Sequence, residues 1–87
     1  MTFFDDETRL FKELYEAYPQ NVSFKNGLAI SYAKLGVFNR NKRGDAAKAR
    51  GYFELAEALW AELVKSYPAY AEFQRNWSNI KSDLKAL

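Results

Sequence analysis

The chain contains no cysteine and no histidine. The first absence removes any disulfide framework and any thiol nucleophile, and the second removes the commonest metal ligand and the commonest general base. Zinc sites and the usual nucleophile–base triads are excluded, so the expectation is no metal and no cofactor. No apolar run approaches the roughly 18 residues that a membrane-spanning helix needs. The first residues, Met1-Thr2-Phe3-Phe4-Asp5-Asp6, place acids where a signal peptide would carry basic charge. A soluble, cytoplasmic protein with no membrane partner is therefore expected. The formal net charge of +2 is too small to imply a polyanionic partner by itself.

Proline is also scarce, with Pro19 and Pro68 alone, and these two stand in a repeated context. Sliding Phe11–Leu35 by 49 residues lays it over Trp60–Leu84. Glu13, Leu14, Tyr18, Pro19, Phe24 and Leu35 then meet identical residues, while Phe11 meets Trp60 and Leu28 meets Trp77. A Tyr-Pro step between two amphipathic segments, twice at one spacing, is the mark of stacked helical repeats. What the chain has in abundance is aromatic residues: seven Phe, six Tyr and two Trp among 87 residues. Each can bury on the order of 150 to 250 Å², which a small domain needs because so much of its chain stays near the surface. Core filling is the plain reading of this richness, ahead of a cage that stacks on a ligand.

Read in order, Asp5 or Asp6 is expected to cap a first helix, with Leu10, Phe11, Leu14, Ala17 and Tyr18 at helical spacing before Pro19. A second helix starts near Asn21 or Ser23, carries Phe24, Leu28, Tyr32 and Leu35 on one stripe, and is expected to end at Gly36 as a C-cap glycine. Asn39–Gly44 has no periodicity and reads as a polar loop before Asp45, a good N-cap. The stripe Ala49, Phe53, Ala56, Trp60, Leu63 and Tyr67 predicts a long third helix, with Gly51 as its weak point and a possible bend or close contact. Phe73, Trp77, Ile80 and Leu84 predict a fourth helix from near Tyr70. The fold class is all-α, an antiparallel array of about four helices, with a core containing Leu14, Leu28, Tyr32, Phe53, Trp60, Leu63, Phe73 and Trp77.

The segment Asn21–Gly36, NVSFKNGLAISYAKLG, resembles the first helix of a tetratricopeptide repeat, with Leu28 and Ala29 at the motif's Leu-Gly pair and Tyr32 at its Tyr. Ala56 and Trp60 match the Ala and Phe positions of the second helix, and Pro68 the closing proline. The resemblance covers residues 6–18 as a second helix, 22–67 as a complete hairpin and 70–86 as a first helix, within a single domain of residues 1–87. Two departures stand out. The spacing is 49 residues rather than the usual 34, and Lys25 occupies the motif's early aromatic position, with Phe24 just before it. The pattern is similar to long-period tetratricopeptide-like repeats that serve as interaction scaffolds. Its phase reads as a piece of a longer superhelical array, or a miniature that closes by self-association. Phe3, Phe4, Phe11 and Tyr15 at one end, and Tyr70, Phe73 and Trp77 at the other, supply the apolar surface for such contact.

The resemblance implies a protein or peptide ligand on the concave surface made by the first helices. The residues it points to are Ser23, Asn26, Ile30 and Lys34, continued by Glu72, Arg75, Asn76, Asn79 and Asp83. Asn and Arg suit main-chain amides and carboxylates because they offer several donors or acceptors in fixed geometry, although an ordinary solvated helix face is the favoured reading for any one of them taken alone. Gly27 and Ile30 stand where the family's two-carboxylate clamp needs polar groups, so recognition of an acidic C-terminus is not expected.

The cluster Arg40, Lys42, Arg43, Lys48 and Arg50, with Asp45 its one acid, offers a rival reading as an anion or nucleic-acid site in a 40–50 loop. Such clusters are ordinarily just solvated, and nucleic acid is the less favoured partner. Catalysis is not expected. Glu54, Glu57 and Glu62 lie among Lys and Arg on a helix without a Gly-rich loop or a desolvated acid pair.

Overall fold

The structure is a computed structural model that describes the backbone from Phe3 to Leu87 and the side chains from Asp6 onward. Four helices make up the described residues, with no strand: α1 (Phe3–Ala17), α2 (Val22–Asn41), α3 (Ala46–Ser66) and α4 (Ala71–Ala86). Extensive packing is sequential, α1 on α2, α2 on α3 and α3 on α4. A closed four-helix bundle would also pack its first helix heavily on its last, so this arrangement is an open array.

The two Tyr-Pro steps build the same turn. Tyr18 N–H donates to Leu14 and Asn21 N–H to Tyr18, at 2.8 and 3.0 Å; Tyr67 N–H donates to Leu63 and Tyr70 N–H to Tyr67, at 2.8 and 3.1 Å. Each turn is braced by an aromatic pair at repeat-equivalent positions, Tyr18 with Phe24 (5.9 Å between centroids) and Tyr67 with Phe73 (6.4 Å). Proline ends each preceding helix, and the ring pair fixes the angle at which the chain re-enters the next. The caps differ. Asn21 Oδ1 accepts from Phe24 N–H, whereas Tyr70 has no side-chain cap bond.

Leu28, Ala29, Ala49, Phe53, Ala56, Leu59, Trp60, Leu63, Phe73 and Ile80 form one continuous core. Five expected members, Leu28, Phe53, Trp60, Leu63 and Phe73, are in it. Tyr32 and Trp77 are half-buried and pack against its edge, and Leu14 is half-buried as well. Trp77 keeps its polar end engaged: its Nε1–H donates to Glu57 at 2.8 Å, and Lys81 Nζ sits 3.8 Å above its ring.

Several expected boundaries move. Asp5 and Asp6 lie inside α1, which begins at Phe3; acids in a first turn favour the positive end of the helix dipole whether or not they cap it. Gly36 does not end α2, which runs on to Asn41. A Cβ at Gly36 would overlap the Phe53 ring, so this glycine serves close approach of two helices rather than termination. The loop accordingly shrinks from the expected 39–44 to 42–45, where Gly44 has φ +63° and Asp45 Oδ1 caps α3 through Lys48 N–H at 3.0 Å. The third helix is continuous through Gly51, and a Cβ there would meet nothing within 4 Å. The close contacts belong instead to Gly36 and to Gly27, where a Cβ would lie 2.5 Å from Phe11 Cε1.

Candidate functional site

Antiparallel packing of neighbours makes α2 and α4 run in the same direction on one side of α3. An ion pair between Arg40 Nη1, late in α2, and Asp83 Oδ1, late in α4, at 3.5 Å ties their C-terminal ends together. Between the two helices lies a groove of about 560 Å³, within the size range of sites that enclose a ligand of several residues or a small molecule.

Its two walls differ in chemistry. The α2 wall is largely apolar: Ile30, Ala33, Val37 and Phe38, with Lys34 among them. The α4 wall is a polar stripe at helical spacing, Glu72, Asn76, Asn79 and Asp83. Trp60 and Ile80, 4% and 2% exposed, line the groove between the walls. Asn41 and Lys42 close its C-terminal end. Trp60 is held in place by a bond from its Nε1–H to Asn26 Oδ1 at 2.9 Å, which satisfies the one polar atom of a large buried ring.

The structure separates the residues singled out from sequence. Ile30, Lys34, Glu72, Asn76, Asn79 and Asp83 all line the groove. Ser23 and Arg75 are exposed and do not line it. Asn26 spends its side-chain oxygen on Trp60, so its place is in the groove's support. Lys34 Nζ lies 3.5 Å from Glu7 Oε1, and that carboxylate also accepts from Ser31 Oγ at 3.2 Å. Asn76 and Asn79 have no side-chain partner among the described residues, which leaves their amides available.

Residues that the sequence reading missed are Ala33, Val37 and Phe38 on the apolar wall. The signal was present at positions 30, 33, 34, 37, 38 and 41, which recur at helical spacing, but ending the second helix at Gly36 cut that stripe in half.

The basic residues do not make one loop. Arg40 belongs to α2, where it pairs with Asp83 and stacks over the Phe53 ring at 5.6 Å, and its Nε–H donates to Asn41 Oδ1 at 3.1 Å. Arg43 lies over the Phe38 ring at 5.6 Å. Lys48 and Arg50 stand on α3. Of the expected trio Arg40, Lys42 and Arg43, two are thus held against aromatic faces, and Lys42 alone lines the groove.

A smaller hollow of about 280 Å³ lies on the opposite side of the array, lined by α1, α2 and α3 residues including Tyr15, Tyr32, Leu55 and Leu59. Among the described residues no three acids gather closely enough to hold a metal ion, and no helix is long and apolar enough to cross a membrane. Comparison with known proteins returns no match, whether to a family model, to a curated protein or to a solved structure.

Proposed function

We propose that this chain is a non-enzymatic, tetratricopeptide-like interaction module of the cytoplasm that holds an extended segment of a protein partner in the groove between α2 and α4. The observation that carries the reading is the two-sided groove. An extended peptide offers main-chain N–H and C=O groups in one direction and side chains in another, and the free amides of Asn76 and Asn79 face the apolar wall of Ile30, Val37 and Phe38. Parallel placement of α2 and α4 with a shared turn geometry supports the tetratricopeptide-like description, since stacked hairpins of that kind expose their first helices side by side.

The test is binding of wild-type protein to an array of immobilised random peptides, compared with the Asn76→Ala/Asn79→Ala variant. Both residues are at the surface of α4, so helical content by circular dichroism should be unchanged. The reading expects the variant to lose most of the peptides that the wild type retains, by about 1 kcal/mol per amide removed. An identical bound set for the two proteins would refute it. Strong oligonucleotide binding that collapses with salt and with Lys42→Ser/Arg43→Ser would move the assignment to nucleic acid.

A further inference from the structure

Four charged residues line the groove, and two of them are already neutralised. Lys34 is matched by Glu7 and Asp83 by Arg40, each at 3.5 Å. The remaining two, Glu72 and Lys42, are exposed and have no side-chain partner among the described residues. They stand at opposite ends. Glu72 is in the first turn of α4, whereas Lys42 caps the C-terminus of α2, next to the Arg40–Asp83 tie. With α2 and α4 parallel, the 11 residues from Glu72 to Asp83 put about 16 Å between these ends at a rise of 1.5 Å per residue. That length matches about five or six residues of extended chain at roughly 3.3 Å each.

From this we infer, building on the groove reading above, that the partner segment is charge-ordered. It carries a basic residue that meets Glu72, an acidic residue that meets Lys42, and apolar residues between them that lie on the α2 wall. Opposite unpaired charges at the two ends do more than add affinity, because a segment laid in reverse meets like charge at both. The groove thereby reads the direction in which a sequence is laid, which its apolar wall cannot do.

The probes are fluorescent six-residue peptides, blocked at both ends, with Lys at one end, Glu at the other and Leu and Ala between. Both orders are needed, with a control carrying Gln at both ends. Each charged order can be laid so that its Lys meets Glu72 and its Glu meets Lys42, so both should bind roughly threefold to tenfold more tightly than the Gln control, the range expected of two surface pairs. The advantage should shrink between 50 mM and 500 mM salt as the charges are screened. In the Glu72→Lys variant, where both ends of the groove are basic, one attractive pair becomes a repulsive one and the advantage over the Gln control should vanish. Equal binding of both orders and the Gln control, unaltered by Glu72→Lys, would overturn the charge-order inference while leaving the groove as a peptide site. No binding by any of the three peptides, together with an unchanged array profile for Asn76→Ala/Asn79→Ala, would overturn both.

Discussion

The joint between α1 and α2 and the joint between α3 and α4 are built from repeat-equivalent residues, yet in one an aromatic ring sits against a glycine and in the other the equivalent ring lines an open groove. In the first, Phe11 lies against the notch left by Gly27. In the second, the equivalents are Trp60 and Asn76, and both line the groove. Asn76 carries a side chain where Gly27 has none, so the larger ring has no such notch to enter; Trp60 is buried in the core and shows only its edge to the groove. The polar contacts change as well. Glu7, Ser31 and Lys34 form a bonded cluster in the first joint, and their equivalents Ala56, Ile80 and Asp83 leave two apolar core residues and an acid that turns to Arg40. A repeat can therefore keep its turn and stripe while a few small-for-large exchanges accompany an open groove beside one joint and not the other.

The largest expected effect comes from removing the rings themselves. Trp60 is 4% exposed, and Trp60→Ala should destabilise the fold by about 3 to 5 kcal/mol, a large share of the stability of a small domain. Phe11 is only half-buried, so Phe11→Ala should cost roughly half as much, about 2 kcal/mol. Urea unfolding of both variants checks the ranking, and equal losses would mean that the joints do not differ as described. A sharper version copies the second joint into the first. Gly27→Asn places a Cβ 2.5 Å from Phe11 Cε1 and must displace that ring, at an expected cost of about 1 to 3 kcal/mol. An unchanged midpoint would show that α1 can move away without loss.

Smaller changes separate the remaining contacts. Ser31 is 1% exposed and donates to Glu7, so Ser31→Ala should cost about 1 kcal/mol through the carboxylate contact it strands. Gly51 is a control from outside both joints. Its Cβ site is open and its helix continuous, and Gly51→Ala should stabilise by slightly under 1 kcal/mol through helix propensity alone. Thermal unfolding that showed Gly51→Ala destabilising would place a contact at that site after all.

Most of the architecture was legible in the sequence because its signals are local and redundant. Two Tyr-Pro steps, two stripes of equal period and a capping Asp45 each point to the same helices, and the described residues form four helices packed in sequence. Glycine was where local reading failed. Gly36 looks like a stop, but Phe53 from another helix decides its role, and Gly51 looks like a contact although nothing approaches it. A glycine's meaning depends on what lies across from it, which a single helix pattern does not contain. The same cause hid half of the groove, since Val37 and Phe38 fall beyond the glycine taken as the end of α2. The α4 wall was legible because no such interruption occurs between Glu72 and Asp83.

The last and smallest effect tests the middle helix against the edge helix. Tyr32 and its repeat equivalent Lys81 occupy the same register, but α2 is packed on both sides and α4 on one. Tyr32 stacks on Tyr52 at 6.3 Å, and burial, then Glu16, then Tyr52 raise its pKa above the ordinary value of 10.0. Because the folded state holds this proton more tightly than the unfolded chain does, the contribution of neutral Tyr32 is fully present below pH about 10 and is lost as pH rises through the folded-state value. Tyr32→Phe removes the titration and keeps the ring. The variant should therefore lose less stability than the wild type between about pH 9.5 and 11.5, with the two proteins parallel at neutral pH, as read from urea midpoints across that range. Curves that stay parallel across that range would mean that Tyr32 ionises as freely in the fold as in the unfolded chain, and that packing on both sides of α2 does not shield this position.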